Sequence, residues 1–172
     1  MNILHWKQKD WSGREFALRT IDRPMGTITF ESWSSYDAVY TSGTATISFK
    51  NKGWFEQEVT ITYNGEEIGK AKASLFGKTK VILNSGETYL LTSEFFTYNR
   101  KVQDVAGKTL ISFKQPSFSF GKGDIIVSEE LPELTKEVLV STSLYLKSVA
   151  EHQAAILIII FVPIFIRNVF GS

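Results

Sequence analysis

Residues able to carry out catalysis or to bind a metal ion are few in this sequence. The 172-residue chain has no Cys, and its two His residues, His5 and His152, lie near opposite ends. The lack of Cys excludes disulfides, thiolate zinc sites, iron–sulfur clusters and Cys nucleophiles. Phosphate loops, nucleophile elbows and the His-Glu-x-x-His zinc motif do not occur either. We therefore expect a non-enzymatic protein with no cofactor and no metal site.

Two pairs of adjacent carboxylates could in principle act as acid and base in catalysis. Glu66-Glu67 lies at a predicted hairpin tip, and Glu129-Glu130 lies just before a predicted helix. Solvation of a turn and the favourable interaction of negative charge with a helix N-terminus explain these pairs more simply. No carboxylate cluster offers the six or more oxygen ligands that calcium requires. We predict no catalytic residue.

Four lysines form the candidate binding surface of the sequence. Lys70 and Lys72 share one face of a predicted strand, and Lys78 and Lys80 share one face of the next, with Phe76-Gly77 turning the chain between them. The four ammonium groups could converge on lipid phosphates or on another anionic surface. The alternative is a solvated outer face that protects the rim of a barrel.

The segment from Glu15 to about Ser128 predicts many short antiparallel strands. Stretches rich in β-branched and aromatic residues are separated by Gly, Asn, Asp or Ser. The clearest alternation is Glu58–Tyr63, and Asn64-Gly65 after it suits a two-residue hairpin turn. Roughly 10–12 strands at this spacing indicate a barrel or a sandwich, since closure or stacking is needed to bury so many inward faces.

A helix is predicted after the strands, from about Glu133 to Ala150. Leu134, Val138, Tyr145 and Val149 recur on one helical face. The residues from Val138 to Leu146 are apolar or small on every side, which is typical of a helix that is buried all round.

A second apolar segment follows at Ala154–Ile166. As a helix it would span about 20 Å, short of the roughly 30 Å hydrocarbon core of a bilayer. Pro163 disfavours one uninterrupted helix, and the β-branched composition would also suit a strand. Membrane insertion, packing on the barrel and self-association are the three interpretations of this segment. The side chains involved would be Ile156, Leu157, Ile158, Ile159, Ile160, Phe161 and Phe165.

Two hairpin segments and the start of the helix resemble the corresponding parts of a known superfamily. Trp54–Lys70 and Phe96–Lys114 each consist of a strand, a polar turn with Gly and a return strand, and Leu131-Pro132-Glu133-Leu134 leads into the apolar helix. Over Trp6–Val149 the chain resembles small bacterial members of the tubby C-terminal-like superfamily. That superfamily includes tubby proteins, phospholipid scramblases and LURP-one-related proteins.

The resemblance implies a mainly β fold, with a closed antiparallel barrel of about 10–12 strands around a hydrophobic C-terminal helix. It also implies binding of phosphoinositides through basic residues, although none of the superfamily's positions can be matched to residues here. Glu133–Ala150 is favoured as the segment inside the barrel, because its Ser and Thr residues suit tight packing and because the resemblance implies it. The extra apolar segment departs from the family pattern.

These observations predict a barrel with its helix over residues 1–150 and an apolar tail over residues 151–172. The leading hypothesis is a membrane-associated binding or scaffold module that contacts anionic lipid headgroups. The alternative is a soluble protein–protein interaction or structural domain whose tail packs internally or in a homo-oligomer. A net charge of +1 argues against nucleic acid as a partner. Because Met1–Lys9 lacks the apolar core of a signal peptide, we expect a cytoplasmic location, with membrane association through the C-terminal segment.

Overall fold

The computed structural model describes the backbone of residues 2–53, 58–73, 78–93, 99–116, 119 and 121–170. Side chains are described over the same ranges, except for residue 73 and residues 157–170. Within these ranges the chain forms twelve strands and one helix. The strands are β1 Asn2–Gln8, β2 Glu15–Arg19, β3 Pro24–Phe30, β4 Ala38–Ser42, β5 Thr46–Asn51, β6 Glu58–Tyr63, β7 Glu66–Ala73, β8 Lys78–Leu83, β9 Thr88–Ser93, β10 Arg100–Gln103, β11 Thr109–Lys114 and β12 Lys122–Val127. The helix α1 is Glu133–Phe170.

The twelve strands form a closed up-and-down barrel. Each strand pairs antiparallel with its neighbours in the sequence, and β1 pairs with β12 to close the ring. Asn2 lies opposite Val127 in that closing pair, and Lys7 lies opposite Lys122. The prediction of a closed antiparallel barrel is confirmed, and the sandwich alternative is excluded because one continuous sheet contains all twelve strands.

Side-chain alternation along the strands produces the apolar interior. In β6, Val59 and Ile61 are buried and point inward, while Glu58 and Thr60 are partly exposed. The hairpin after β6 turns at Asn64 and Gly65, whose φ angles of 49° and 90° lie in the left-handed region. This is the conformation that a tight hairpin turn requires and that the Asn-Gly pair tolerates.

The first part of α1 fills the barrel. Eight strands already leave an interior that side chains alone can fill, so a ring of twelve has room for a helix. Every residue from Val138 to Tyr145 is buried, and the ring of Tyr145 stacks on Phe49 at a centroid distance of 4.5 Å and on Phe30 at 5.6 Å. The prediction that this segment occupies the barrel is confirmed.

The helix is longer than the sequence suggested. It begins at Glu133 as predicted but continues past Ala150 to Phe170, so the expected boundary at residues 150 and 151 falls within it. Pro163 removes one backbone donor but does not end the helix. Residues 133–170 contain no Gly, and nothing near Ala150 resembles a helix stop signal.

Polar contacts fix the helix within its apolar surroundings. The hydroxyls of Ser141 and Ser148 donate to backbone carbonyls four residues earlier, at 2.8 and 2.9 Å, so these two buried hydroxyls are paired. The hydroxyl of Tyr145 donates to the carbonyl of Tyr36 at 3.0 Å. Because Tyr36 belongs to the β3–β4 connection, this bond ties the helix to the barrel wall.

The helix enters the barrel at one end and leaves it at the other. The helix enters at the end formed by the β2–β3, β4–β5, β6–β7, β8–β9 and β10–β11 turns, where β12 also finishes. We call this the entry end. The helix leaves at the opposite end, beside the β3–β4 connection, and we call this the exit end.

Candidate functional site

The four lysines of the predicted binding surface lie together on the outer face of the barrel. Strands β7 and β8 pair antiparallel with Lys72 directly opposite Lys80. Ala71 and Val81, which alternate with the lysines, are buried, so Lys70, Lys72, Lys78 and Lys80 share the opposite, outward face. The turn expected at Phe76-Gly77 lies outside the described residues.

Glu58 of β6 lies beside this surface, at its β7 edge, and sequence reasoning did not identify it. Its carboxylate is 2.7 Å from the ammonium of Lys52, 3.0 Å from that of Lys72 and 3.6 Å from that of Lys70. Hydrogen bonds from Lys52 and Lys72 lower the pKa of Glu58 to about 2. The sequence alone does not reveal these contacts, because they depend on the strand register, which places Glu58 opposite Lys72 in the β6–β7 pair.

The lysine surface therefore has two parts with different charge balance. Lys70 and Lys72 share the carboxylate of Glu58 and are partly neutralised. Lys78 and Lys80 are exposed, and neither forms an ion pair with any carboxylate among the described residues. We expect Lys78 and Lys80 to have the larger effect on an approaching anion.

Charge is distributed unevenly along the barrel axis. Among the described strand and turn residues, the half nearer the exit end has more basic than acidic groups. Its basic residues are Lys7, Lys9, Arg14, Lys50, Lys52, Lys72, Lys78, Lys80, Arg100, Lys101, Lys114 and Lys122, and its acidic residues are Asp10, Glu15, Glu31, Asp37, Glu58 and Asp124, while Lys70 lies near the middle of β7 and is assigned to neither half. The entry half reverses this balance. Its basic residues are Arg19, Arg23 and Lys108, and its acidic residues are Asp22, Glu66, Glu67, Glu87, Asp104, Glu129 and Glu130.

Inside the exit end, Lys147 of α1 is buried in a polar cluster. Its side chain is 1% exposed, and its ammonium lies 2.6 Å from the Glu151 carboxylate and 4.3 Å from the ring centroid of Trp6. Burial lowers the pKa of Lys147, and the Glu151 carboxylate opposes that shift. The pKa of the Arg100 guanidinium is likewise lowered by burial. A single lysine in an otherwise apolar helical stretch was the sequence signal for this cluster.

Aromatic contacts hold the helix where it leaves the barrel. The imidazole of His152 stacks on Trp33 with a centroid distance of 4.1 Å, and its Nδ1 is 3.3 Å from the hydroxyl of Tyr36. Burial lowers the pKa of His152. Trp33 and Tyr36 both belong to the β3–β4 connection. The direction in which α1 leaves the barrel is therefore set by this connection.

The apolar C-terminal residues follow directly on this exit. Ile156 is partly buried. The side chains of the other predicted members of this surface, Leu157, Ile158, Ile159, Ile160, Phe161 and Phe165, lie outside the described residues. In the described part of the chain, no helix combines the length and the hydropathy that crossing a bilayer would require.

At the entry end a cavity of about 430 Å³ lies between the start of α1 and the β3 and β4 strands. The hydroxyl of Tyr40 donates to Glu137 at 3.2 Å within it, and burial raises the pKa of Tyr40. The ammonium of Lys136 forms an ion pair with the carboxylate of Glu133 at 3.1 Å. Within the described residues, no group of three or more His, Asp and Glu side chains could hold a metal ion.

In each of the two adjacent carboxylate pairs, one member lies within ion-pair distance of a lysine. Glu67 lies 3.8 Å from Lys70, and Glu130 forms an ion pair with Lys108. No family model, curated protein or solved structure matches this chain. Function is therefore inferred from two features of the molecule, the basic exit half and the apolar helix that leaves through it.

Proposed function

We propose that this protein is a non-enzymatic, membrane-associated binding module whose exit end faces a bilayer that contains anionic lipids. One observation carries the proposal. The helix inside the barrel continues without interruption into the apolar sequence Ala154–Ile166, and it does so at the end of the barrel where, among the residues that the structure describes, lysine and arginine outnumber carboxylates.

The length of the apolar sequence favours insertion into one leaflet. Thirteen helical residues at 1.5 Å per residue extend about 20 Å, which exceeds half of the roughly 30 Å hydrocarbon core but not all of it. The basic residues around the exit end would then lie at the level of the headgroups. Each lysine or arginine near an anionic surface contributes about 1 kcal/mol of attraction.

The barrel is suited to hold the inserted segment rigidly. The stacking of His152 on Trp33 and the bond between Tyr145 and Tyr36 fix α1 immediately before the apolar sequence. A helix anchored in a closed barrel loses less conformational freedom on insertion than a flexible tail would. A closed twelve-stranded barrel filled by a helix also supports membership of the tubby C-terminal-like superfamily, which we propose with the membrane role.

Fractionation of cells tests the anchor. The full-length chain is compared with a chain ending at Gln153, and the membrane pellet is washed with carbonate. We expect only the full-length chain to remain in the washed membrane. If the full-length chain stays in the supernatant as an oligomer, or if the shortened chain aggregates, the apolar segment packs against protein and the membrane proposal is wrong.

Flotation with vesicles tests the lipid contact separately. Vesicles of phosphatidylcholine, with and without phosphatidylserine, are mixed with the full-length chain. Replacement of Lys78 and Lys80 by Gln removes two positive charges at the exit half, and replacement of Arg23 and Lys108 by Gln removes two at the entry half. We expect only the first double variant to lose the preference for phosphatidylserine. Equal loss in both variants would indicate a response to net charge alone.

A further inference from the structure

Trp11 is a large apolar residue that lies almost entirely in solvent. It belongs to the connection between β1 and β2 at the exit end, and it is 98% exposed. The described part of the chain has four other exposed large apolar residues, and all lie toward the entry end: Ile3, Ile21, Val105 and Leu134. Single exposed apolar residues are common on protein surfaces, so exposure alone does not indicate a role for Trp11.

The turn that carries Trp11 has a defined conformation. The carboxylate of Asp10 accepts hydrogen bonds from the hydroxyl of Ser12 and, at 2.9 Å, from the backbone N–H of Glu15. The N–H of Gly13 donates to the carbonyl of Asp10 at 3.3 Å, and the φ of Gly13 is 71°, in the left-handed region that favours glycine. The backbone on both sides of Trp11 is therefore already ordered, so binding through its indole requires little further loss of conformational freedom.

The same turn contacts the residues that fix the helix at its exit. The indole Nε1 of Trp33 donates to the backbone carbonyl of Ser12 at 3.1 Å. The ring of Trp33 in turn stacks on His152 of α1, with the two ring planes 6° apart. Ala154, two residues after His152, begins the apolar sequence. One aromatic ring thus connects the Trp11 turn to the helix immediately before that sequence.

The charged residues around Trp11 are compatible with an anionic surface. Two basic residues of the turn, Lys9 and Arg14, balance its two acidic residues, Asp10 and Glu15. The carboxylate of Asp10 accepts hydrogen bonds within the turn, and that of Glu15 pairs with Lys9. Arg14 is exposed and forms no ion pair with a carboxylate among the described residues, so its guanidinium is available to a lipid phosphate. The turn therefore presents an apolar ring beside an available cation, as membrane-interface anchors do.

We infer that Trp11 is a second membrane contact of the exit end, and that its indole lies at the headgroup level of the leaflet that the apolar helix enters. The inference rests on the proposed function, because the bilayer is the one in which the helix is anchored. Tryptophan suits this depth, since its ring is apolar while its N–H hydrogen-bonds to water or phosphate. Two contacts at separate points of one rigid end fix the tilt of the barrel on the membrane.

Quenching by brominated lipids tests the depth of Trp11 in the full-length chain. Vesicles of phosphatidylcholine and phosphatidylserine contain lipids brominated either near the headgroup or near the end of the acyl chains. Subtracting the fluorescence of Trp11→Phe isolates the Trp11 signal from that of the three other tryptophans in the chain. We expect the Trp11 signal to be quenched on vesicle binding, and more strongly by the bromine near the headgroup.

Partition measurements separate this contact from general apolar attraction. Trp11→Ala should weaken partitioning of the full-length chain into these vesicles about tenfold or more, as loss of one large buried apolar side chain does. Ile21→Ala is the matched control, since it removes an exposed apolar side chain at the entry end, and it should leave partitioning unchanged. Because both side chains are exposed, neither variant should lose stability in urea unfolding. An equal loss of partitioning in both variants would overturn the inference.

The outcomes distinguish this inference from the membrane proposal. If the full-length chain does not bind the vesicles, the membrane proposal is wrong and the inference falls with it. If the chain binds but Trp11 is not quenched, or if Trp11→Ala partitions like the wild type, the helix alone anchors the protein. The inference is then wrong while the membrane proposal is retained, and Trp11 is left as a contact for a protein partner.

Discussion

Tyr145 of the helix contacts the barrel wall both by ring stacking and by a hydrogen bond. The variant Tyr145→Phe tests the hydrogen bond alone. The substitution keeps the ring that stacks on Phe49 and Phe30 and removes only the hydroxyl. That hydroxyl donates to the carbonyl of Tyr36 at 3.0 Å, and both residues are fully buried. Tyr36 itself has a φ of 58°, which is uncommon for a bulky residue and requires support from its surroundings.

The expected cost follows from the burial of this bond. Removing one partner of a buried hydrogen bond lowers stability by about 1–3 kcal/mol, because the remaining group is desolvated without its partner. For a domain of this size, each kcal/mol corresponds to a change of about 2–4 °C in Tm. Ring stacking is unchanged, so none of the loss is due to a cavity.

Urea unfolding of the wild-type chain and of Tyr145→Phe measures the difference. Tyr63→Phe is the matched control, since Tyr63 is only partly buried and its hydroxyl has no described hydrogen bond. We expect the control to change the free energy of unfolding by less than about 0.5 kcal/mol. If Tyr145→Phe is as stable as the control, the bond to Tyr36 does not hold the helix in place, and our account of the junction is wrong.

Three further results are expected. The pKa of Glu58 is lowered from 4.5 to about 2. Its ion pairs therefore stabilise the fold fully above about pH 4.5, and this stabilisation is lost as the pH falls toward 2. A pH titration of the Glu58 carboxyl carbon, followed by nuclear magnetic resonance, checks this. Gly26→Ala places a Cβ 2.5 Å from the ring of Tyr40 and should lower the free energy of unfolding in urea by about 1–3 kcal/mol. Glu151→Gln leaves the buried ammonium of Lys147 without its carboxylate and should lower the free energy of unfolding by about 1–3 kcal/mol. Lys147→Met, which removes the buried charge itself, should be nearly neutral. If urea unfolding shows Lys147→Met to be the less stable of the two, our description of this cluster is wrong.

The barrel could be predicted because its signals are local. Alternation along single strands, as in Glu58–Tyr63, and turn pairs such as Asn64-Gly65 identify strands and hairpins without knowledge of distant residues. An up-and-down order then follows from pairing each strand with the next one. The helix extends beyond the predicted end at Ala150 because the sequence there contains no stop signal, and Pro163, which was expected to disfavour one uninterrupted helix over Ala154–Ile166, does not end it.

The charged sites could be predicted only in part, because they depend on register. The outward faces of Lys70 and Lys72 follow from alternation, but the position of Glu58 opposite Lys72 requires the pairing of β6 with β7. Lys7 and Lys122 are more than a hundred residues apart and meet only through barrel closure. No local pattern in either strand indicates that pairing.

The order of elements in the chain has a consequence for biosynthesis. The segment that fills the barrel follows all twelve strands in the sequence, so the ribosome releases it after β1 to β12. Until then, any hairpins that have formed have no helix to cover their inward faces, and β1 and β12 are unpaired edges. Nascent chains in this condition are prone to aggregation, and chaperones bind them for that reason. Ring closure and packing of the interior are therefore expected as one late, cooperative event, triggered when the helix becomes available.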